Sequence, residues 1–337
     1  MARGIFMSVA LRSVLFSLCV AGSAAADPIG HGKGGGSPIP VAAAGAGYTI
    51  NTFHIPPGGF STANVDTAET FAPGFQIYAG RFFNSGSFPP FAGNATINAD
   101  GSLTVAGEDV GFQVATAAEI VGSPPWVGTT FGCGAYITAE LAMNESQDPS
   151  SFQSYWYADA IEQLAYPFGD PAENWPGQAA DYSAFVEVDT MENIGLSTSK
   201  KQHYYTTLHN WYGVYNETCA SGYCDVNNSF QAANQTFVPN YTDFTQYHRI
   251  AVLWVPATGS TNGNISFWFD DIMVNGPYSY AQFSLVTPPT PPPAAPYIFS
   301  ILDQRHLALI AGGGNKNPVT LRSMDVWQGS GSCNLSN

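Results

Sequence analysis

Hydrophobic and polar residues alternate in short runs along most of the chain. The runs are rich in Val, Ile, Phe, Tyr and Thr, and they are separated by Gly, Pro and Asn. A period of two residues is typical of a β-strand, because successive side chains point to opposite faces. Short strands divided by turn residues predict an all-β sandwich or barrel. The clearest runs span residues 75–79, 102–105, 134–141, 249–255 and 266–269.

The first 26 residues differ from the rest of the chain. Arg3 and Arg12 provide a positive flank to a short apolar stretch at 14–20, and three alanines follow at 24–26. This layout predicts a secretory signal peptide over residues 1–26. The alternative is a membrane anchor, which we disfavour because the apolar stretch is too short to span a bilayer. We therefore expect a secreted protein, extracellular or periplasmic.

The remaining chain divides by composition. Residues 27–47 are rich in Gly, Ala and Pro with almost no large apolar side chain, which predicts a flexible leader. The strand-like runs then predict a single domain over residues 48–329, followed by a tail at 330–337. A proline-rich stretch at 287–296 has the composition of a linker. Too few residues follow it for a second domain, so we expect a surface loop there.

The charge balance excludes two kinds of partner. The chain has 10 Lys and Arg against 25 Asp and Glu, a net charge of −15. Nucleic-acid binding needs clustered basic residues that neutralise phosphates. Anionic membranes likewise attract basic surfaces. We therefore expect neither a nucleic acid nor a membrane as a partner.

Removal of the signal peptide takes away Cys19 and leaves four cysteines, Cys133, Cys219, Cys224 and Cys333. An even number in a secreted chain predicts disulfides. We favour a local Cys219–Cys224 bond and a Cys133–Cys333 bond, although four cysteines allow three connectivities and the sequence leaves the choice open. Zinc binding is the alternative, but the paired spacing that it requires is missing.

Three carboxylate residues stand close together in a strand-like run at 184–193. Glu187 and Asp189 are two residues apart and leave the same face of a strand. Glu192 would leave the other face, but a one-residue β-bulge would return it to theirs. Like charges this close cannot all ionise freely, so at least one pKa should rise, as a glycosidase requires of its acid. The alternative is the outward face of a solvated edge strand.

This run and its flanks resemble the family 16 glycoside hydrolases, which include laminarinases, lichenases, agarases and carrageenases. Residues 187–192, Glu-Val-Asp-Thr-Met-Glu, are similar to the bulged Glu-x-Asp-x-x-Glu motif of laminarinase-like and agarase-like members. The other similar segments are residues 156–158, 174–177, 207–211, 247–256, 265–270, 308–314 and 324–328.

The resemblance implies a concanavalin A-like jelly-roll β-sandwich with a concave substrate cleft, and hydrolysis with retention. In this family pattern Glu187 is the nucleophile, Glu192 the general acid/base, and Asp189 the residue that adjusts their protonation. A retaining pair needs carboxyls about 5 to 5.5 Å apart. A structural calcium ion occurs in many members, but no ligands for one are identified in this sequence, and we expect no other cofactor.

Aromatic residues near the motif are candidates for sugar binding, because an aromatic face offers apolar area to the C–H face of a sugar. We assign Trp156, Trp175 and Trp211 to this role, with a place in the hydrophobic core as the alternative for a tryptophan. His209 would hydrogen-bond a sugar hydroxyl or a carboxylate, with a structural role as its alternative.

The sequence therefore predicts a secreted retaining endo-β-glycanase that acts as a monomer on a polysaccharide. The scarcity of basic residues favours a neutral polymer, a β-1,3- or mixed-linkage glucan, over a polyanion. The alternatives are a transglycosylase or agarase of the same family and a non-catalytic carbohydrate-binding jelly-roll protein. A polysaccharide lyase is disfavoured because its Arg/His cluster is missing from the sequence.

Overall fold

β-Strands account for most of the residues that the structure describes. The structure is a computed structural model, and it describes residues 38–80, 93–107, 112–120, 126–144, 147–161, 182–196, 202–214, 227–230, 234–256, 263–279 and 306–337.

These residues form one short helix, α1 (Val41–Gly45), and twenty strands. The strands are β1 (Ile50–Ile55), β2 (Val65–Asp66), β3 (Ile77–Ala79), β4 (Gly93–Ile97), β5 (Leu103–Gly107), β6 (Phe112–Ala115), β7 (Ala117–Glu119), β8 (Trp126–Thr130), β9 (Ala135–Met143), β10 (Tyr155–Ala160), β11 (Tyr182–Leu196), β12 (Gln202–Val214), β13 (Asn227–Phe230), β14 (Asn234–Phe237), β15 (His248–Val255), β16 (Asn264–Phe269), β17 (Ile272–Ser279), β18 (Leu307–Gly313), β19 (Val319–Gln328) and β20 (Leu335–Ser336).

Two large sheets contain most of these strands. The first has the order β17-β16-β15-β9-β19-β5-β4, with β1 also paired to β19. The second has the order β13-β12-β11-β10-β18-β6-β3-β2, with β14 also paired to β12. A small sheet, β20-β8-β7, completes the described strands. Pairing is antiparallel throughout the two large sheets except between β2 and β3, so each strand can bury one face and expose the other.

Both large sheets bury one face in a shared hydrophobic core. Ile137 on β9 and Val252 on β15 belong to this core, and so do Val188 and Met191 on β11 and Leu309 on β18. All five have exposures of 1% or less. Because one core joins two antiparallel sheets, the fold is a two-layer β-sandwich, and the predicted all-β sandwich is confirmed.

The end of the predicted flexible leader is ordered in the structure. α1 lies within residues 27–47, and its Ala43 is fully buried in a cluster with Tyr48 and Tyr136 on the other face of the first sheet. The Tyr48 hydroxyl donates a hydrogen bond to the Trp254 carbonyl at 3.0 Å, and burial raises the pKa of Tyr48 to about 12. Alanine is small and the best helix former, so an alanine-rich segment packs closely here without large side chains.

The predicted C-terminal tail is also attached to the sandwich. Leu335 of β20 pairs with Thr130 of β8, and a disulfide joins Cys133 to Cys333 with 5.5 Å between their Cα atoms. The predicted Cys133–Cys333 bond is therefore confirmed.

Other sequence predictions lie outside the described residues. They concern the signal peptide at 1–26, the Cys219–Cys224 bond and the proline-rich stretch at 287–296. Among the described residues, no helix has the length and apolar character needed to cross a membrane.

Candidate functional site

The three carboxylate residues lie on β11, between β10 and β12 in the second sheet. Val188 and Met191 of this strand point into the core, with exposures of 1% and 0%. Glu187 and Asp189 alternate with Val188, so they project from the opposite face of the sheet. Asp189 is itself only 1% exposed, whereas Glu187 and Glu192 are half-buried.

A β-bulge at Thr190 returns Glu192 to the face of the other two carboxylates. On the β10 side, Tyr157 pairs with Asp189 and the preceding Trp156 pairs with Met191, so Thr190 has no partner in the register. On the β12 side, the register likewise shifts by one residue between Asp189 and Glu192. The structure thus contains the bulge that the spacing of the motif requires, and one extra residue brings the three carboxylates to one face.

The central carboxylate holds a proton more tightly than an ordinary aspartate. Burial raises the pKa of Asp189 well above its usual value, and the negative charge of Glu192 raises it further, while the neighbouring Glu187 opposes the change. Both glutamates thus influence the protonation of Asp189. Like charges this close together cannot all ionise freely, so we expect the three groups to titrate as one coupled set in which the buried Asp189 keeps its proton most readily.

Polar and aromatic side chains of β10 surround this set. Gln153, just before β10, donates a hydrogen bond from Nε2 to Glu192 Oε1 at 2.8 Å. Tyr155 and Tyr157 pair with Glu192 and Asp189, and their ring centroids are 5.3 Å apart. Burial raises the pKa of both tyrosines, and nearby acidic groups add to the rise. Both hydroxyls therefore keep their protons and can act as hydrogen-bond donors, as Tyr157 does toward Gln113 Oε1 at 3.3 Å.

The site includes a fourth carboxyl residue that the sequence analysis did not predict. Asp159 of β10 pairs with Glu187 and is 1% exposed. Directly opposed residues on antiparallel strands have Cβ atoms about 4.5 to 5.5 Å apart on the same face. Asp159 therefore adds a buried acid beside Glu187. The alternation Tyr155, Tyr157, Asp159 is the only signal for it in the sequence, and it requires knowing that β10 pairs with β11.

The assignment of Trp156 to sugar binding is wrong. Trp156 pairs with Met191 on the core side of the second sheet, and it is 1% exposed within the shared core. Its neighbours Tyr155 and Tyr157 occupy the opposite face, because side chains alternate along a strand. The two tyrosines are therefore the β10 aromatics that lie beside the carboxylates.

The other candidate binding residues are His209, Trp211 and Trp175. The structure gives the backbone positions of the first two, on β12. The register pairs His209 with Glu187, and it pairs Trp211 with Phe185, two positions before Glu187 on β11. Trp175 falls outside the described residues. His209 is thus the candidate whose backbone lies beside a carboxylate of the motif.

The described residues contain no group of three or more His, Cys, Asp or Glu side chains arranged to hold a metal ion. The chemistry that this arrangement offers is proton transfer and nucleophilic attack by carboxyl groups, since one member of a coupled set can be ionised while another is protonated.

Comparison with known proteins gives low similarity. The sequence matches no protein-family model and no curated protein. Among solved structures it is similar to the kappa-carrageenase of Pseudoalteromonas carrageenovora in complex with an oligotetrasaccharide, with a TM-score of 0.38 and 12% identity, covering 69% of this chain and 82% of that one. The beta-agarase B of Zobellia galactanivorans gives a TM-score of 0.35 and 11% identity, covering 71% and 80%. The globular domain of T. cruzi calreticulin gives 0.40 and 8%, covering 83% and 88%. At these values the fold assignment rests on the strand order and register described above.

Proposed function

We propose that this protein is a secreted, retaining endo-β-glycanase that hydrolyses β-glycosidic bonds of a neutral polysaccharide. The observation that carries the proposal is the bulge at Thr190, which brings Glu187, Asp189 and Glu192 to one face of the sheet. A solvated edge strand, the alternative for this motif, is excluded because β11 has a paired strand on each side and Asp189 is buried.

In the proposed reaction, Glu187 attacks the anomeric carbon while Glu192 donates its proton to the oxygen of the leaving sugar. The glycosidic bond breaks and a covalent glycosyl-enzyme forms on Glu187. Glu192, now ionised, takes a proton from a water molecule, whose oxygen attacks the same carbon and releases Glu187. Asp189, held protonated by burial, lies between the two and adjusts their protonation.

A neutral substrate is supported by the positions of the three basic residues that the structure describes. Arg249 and Arg322 lie on the first sheet and form ion pairs with Glu140 at 3.6 and 3.7 Å. Lys316 lies in the turn between β18 and β19, 3.4 Å from Asp148. Each of these three side chains faces an acid, and the two arginines share Glu140. A polyanionic chain normally needs basic groups along its cleft. We favour a β-1,3- or mixed-linkage glucan.

The disulfide fits a secreted protein, because such bonds persist in oxidising compartments. We propose that the protein acts as a monomer, and that no cofactor takes part in the reaction.

The test is the Glu187→Gln variant assayed on laminarin, mixed-linkage glucan, agarose and xyloglucan. We expect the wild type to release reducing ends from one of these polymers, and the variant to lose turnover by on the order of 10⁴-fold or more while its melting temperature is kept. Asp148→Asn, an acid outside the site, is the matched control and should remain active. NMR of the first-formed product should show the β-anomer.

Undiminished turnover in Glu187→Gln would refute the assignment. Wild-type binding to a polymer without any hydrolysis would assign the protein instead to non-catalytic carbohydrate binding.

A further inference from the structure

A row of side chains continues from Glu192 across the second sheet. Tyr205 of β12 pairs with Glu192 of β11, and the same Tyr205 pairs with Gln235 of β14 on its other side. Directly paired residues share a face of the sheet, so Glu192, Tyr205 and Gln235 lie side by side. Neighbouring strands are about 4.8 Å apart, so the row extends about 10 Å from Glu192.

A second pair of residues lies next to this row. His203 of β12 pairs with Phe237 of β14, two residues along each strand from Tyr205 and Gln235. The alternate residues, Tyr204 and Thr236, are buried at 0% and 1% exposure. Tyr205, Gln235, His203 and Phe237 therefore share the outer face, and we call these four residues the β12–β14 platform.

Contacts within the platform fix its side chains. Gln235 Nε2 donates to Tyr205 Oη at 2.8 Å and lies 3.4 Å from His203 Nε2. The His203 ring packs against Tyr205 and Phe237, with centroid distances of 5.6 and 6.1 Å. His203 is 5% exposed, whereas Phe237 above it is 46% exposed. The exposed ring of Phe237 thus packs on the buried ring of His203.

The chemistry of the platform suits a sugar. One exposed phenylalanine alone needs no functional explanation. This one lies beside an exposed amide and a tyrosine hydroxyl, in a row that begins at a carboxylate of the site. Aromatic rings provide apolar area with a fixed orientation, and hydroxyl and amide groups bind sugar hydroxyls. The four platform side chains include no lysine, arginine or carboxylate.

We infer that the β12–β14 platform is a binding subsite for a neutral sugar unit of the substrate, adjacent to Glu192. Phe237 stacks on the C–H face of the ring, and Gln235 and Tyr205 hydrogen-bond its hydroxyls. The row reaches about 10 Å from Glu192, so the subsite engages oligosaccharides and polymers that extend beyond that residue. This inference rests on the proposed function, because the row begins at the residue to which we assign the acid/base role.

The test uses two substitutions in the platform, Phe237→Leu and Gln235→Ala. Leucine keeps apolar volume but lacks the flat ring, so the variant should fold, which its melting temperature checks. Tyr241→Ala is the matched control, because Tyr241 is an aromatic residue 96% exposed beyond β14. Each is assayed on the polymer that the wild type hydrolyses fastest, and for retention in gels containing laminarin, mixed-linkage glucan or agarose.

We expect Phe237→Leu to raise KM for the polymer about 10-fold with little change in kcat, and to weaken gel retention similarly. Gln235→Ala should act in the same direction, and Tyr241→Ala should match the wild type. If the wild type hydrolyses a polymer and both platform variants keep its KM and retention, the subsite is overturned and the proposed function stands.

If the polymer gels retain the wild type but it hydrolyses none of the polymers, and Phe237→Leu loses retention, the sugar-binding role of the platform is supported and the proposed hydrolase activity is rejected. A wild type that is neither retained nor active overturns both proposals.

Discussion

The amide of Gln153 donates a hydrogen bond of 2.8 Å to the carboxyl of Glu192. Gln153 lies just before β10, where Tyr155 pairs with Glu192. The bond fixes Oε1 of Glu192 and leaves its other oxygen to carry the proton. A carboxyl that must deliver a proton to a glycosidic oxygen depends on such a fixed orientation.

Replacement of Gln153 by Ala should therefore reduce kcat more than it changes KM. Glu192 becomes negatively charged as it delivers its proton, and a hydrogen bond to a charged group contributes about 1.5–3 kcal/mol. Each 1.4 kcal/mol is about tenfold in rate, so we expect a loss of about 10- to 100-fold. Gln246→Ala is the matched control, because Gln246 is an exposed glutamine that contacts Asp243 and Thr245. Steady-state kinetics on the preferred polymer measure the effect. Equal kcat in the wild type and in Gln153→Ala would contradict a role for the Gln153–Glu192 hydrogen bond.

Asp189 should make the fold less stable as the pH rises. Its pKa in the folded protein is well above the value of 3.8 for an ordinary aspartate, chiefly because it is buried. Between those two pKa values the folded state binds a proton that the unfolded state has lost, so the free energy of unfolding falls with increasing pH. Asn keeps the shape of Asp without the charge. Asp189→Asn should therefore be more stable than the wild type at neutral pH, and its melting temperature should depend less on pH between 4 and 8.

The same substitution should reduce activity, because the carboxyl that lies between the two glutamates and influences their protonation is gone. Asp100→Asn is a control of opposite sign. Hydrogen bonds from Ser102 lower the pKa of Asp100, so its ionised form favours folding above that pKa, and its loss should slightly destabilise the protein at neutral pH. If Asp189→Asn and the wild type lose stability in parallel as the pH rises, the carboxyl does not hold a proton in the folded protein.

Trp156 should affect stability and not substrate binding. Its side chain lies in the shared core at 1% exposure, and removal of a buried tryptophan side chain costs about 3–5 kcal/mol. Its indole Nε1 has no hydrogen-bond partner in the described part of the chain, so Trp156→Phe should cost less than Trp156→Ala. Urea unfolding measures both losses. If Trp156→Phe strongly raised KM and left the stability unchanged, Trp156 would belong to the substrate-binding site and not to the core.

The sequence predicted the fold class and the bulge but not the surroundings of the carboxylates. Alternation within β11 and the spacing of Glu187, Asp189 and Glu192 are local features, and local features determine which side chains share a face. Asp159 and Trp156 depend on which strand pairs with β11 and in which register. That register is set by contacts between residues about 30 apart along the chain. Without the register, the sequence does not show that Asp159 lies opposite Glu187. It also does not show that Trp156 faces the core while Tyr155 and Tyr157 face the carboxylates.

The Cys133–Cys333 bond should contribute more to stability than its position near the C-terminus suggests. It closes a loop with a sequence separation of 200, and the chain-entropy relation gives about 5 kcal/mol for such a loop. The same relation gives about 2 kcal/mol for the short loop of the predicted Cys219–Cys224 bond. In urea unfolding without reductant, Cys133→Ala/Cys333→Ala should lose more free energy than Cys219→Ala/Cys224→Ala. The first pair also releases β20 from β8, so limited proteolysis should remove the C-terminal residues from that variant first. Equal losses in the two double variants would show that loop entropy does not govern the contribution of the long-range bond.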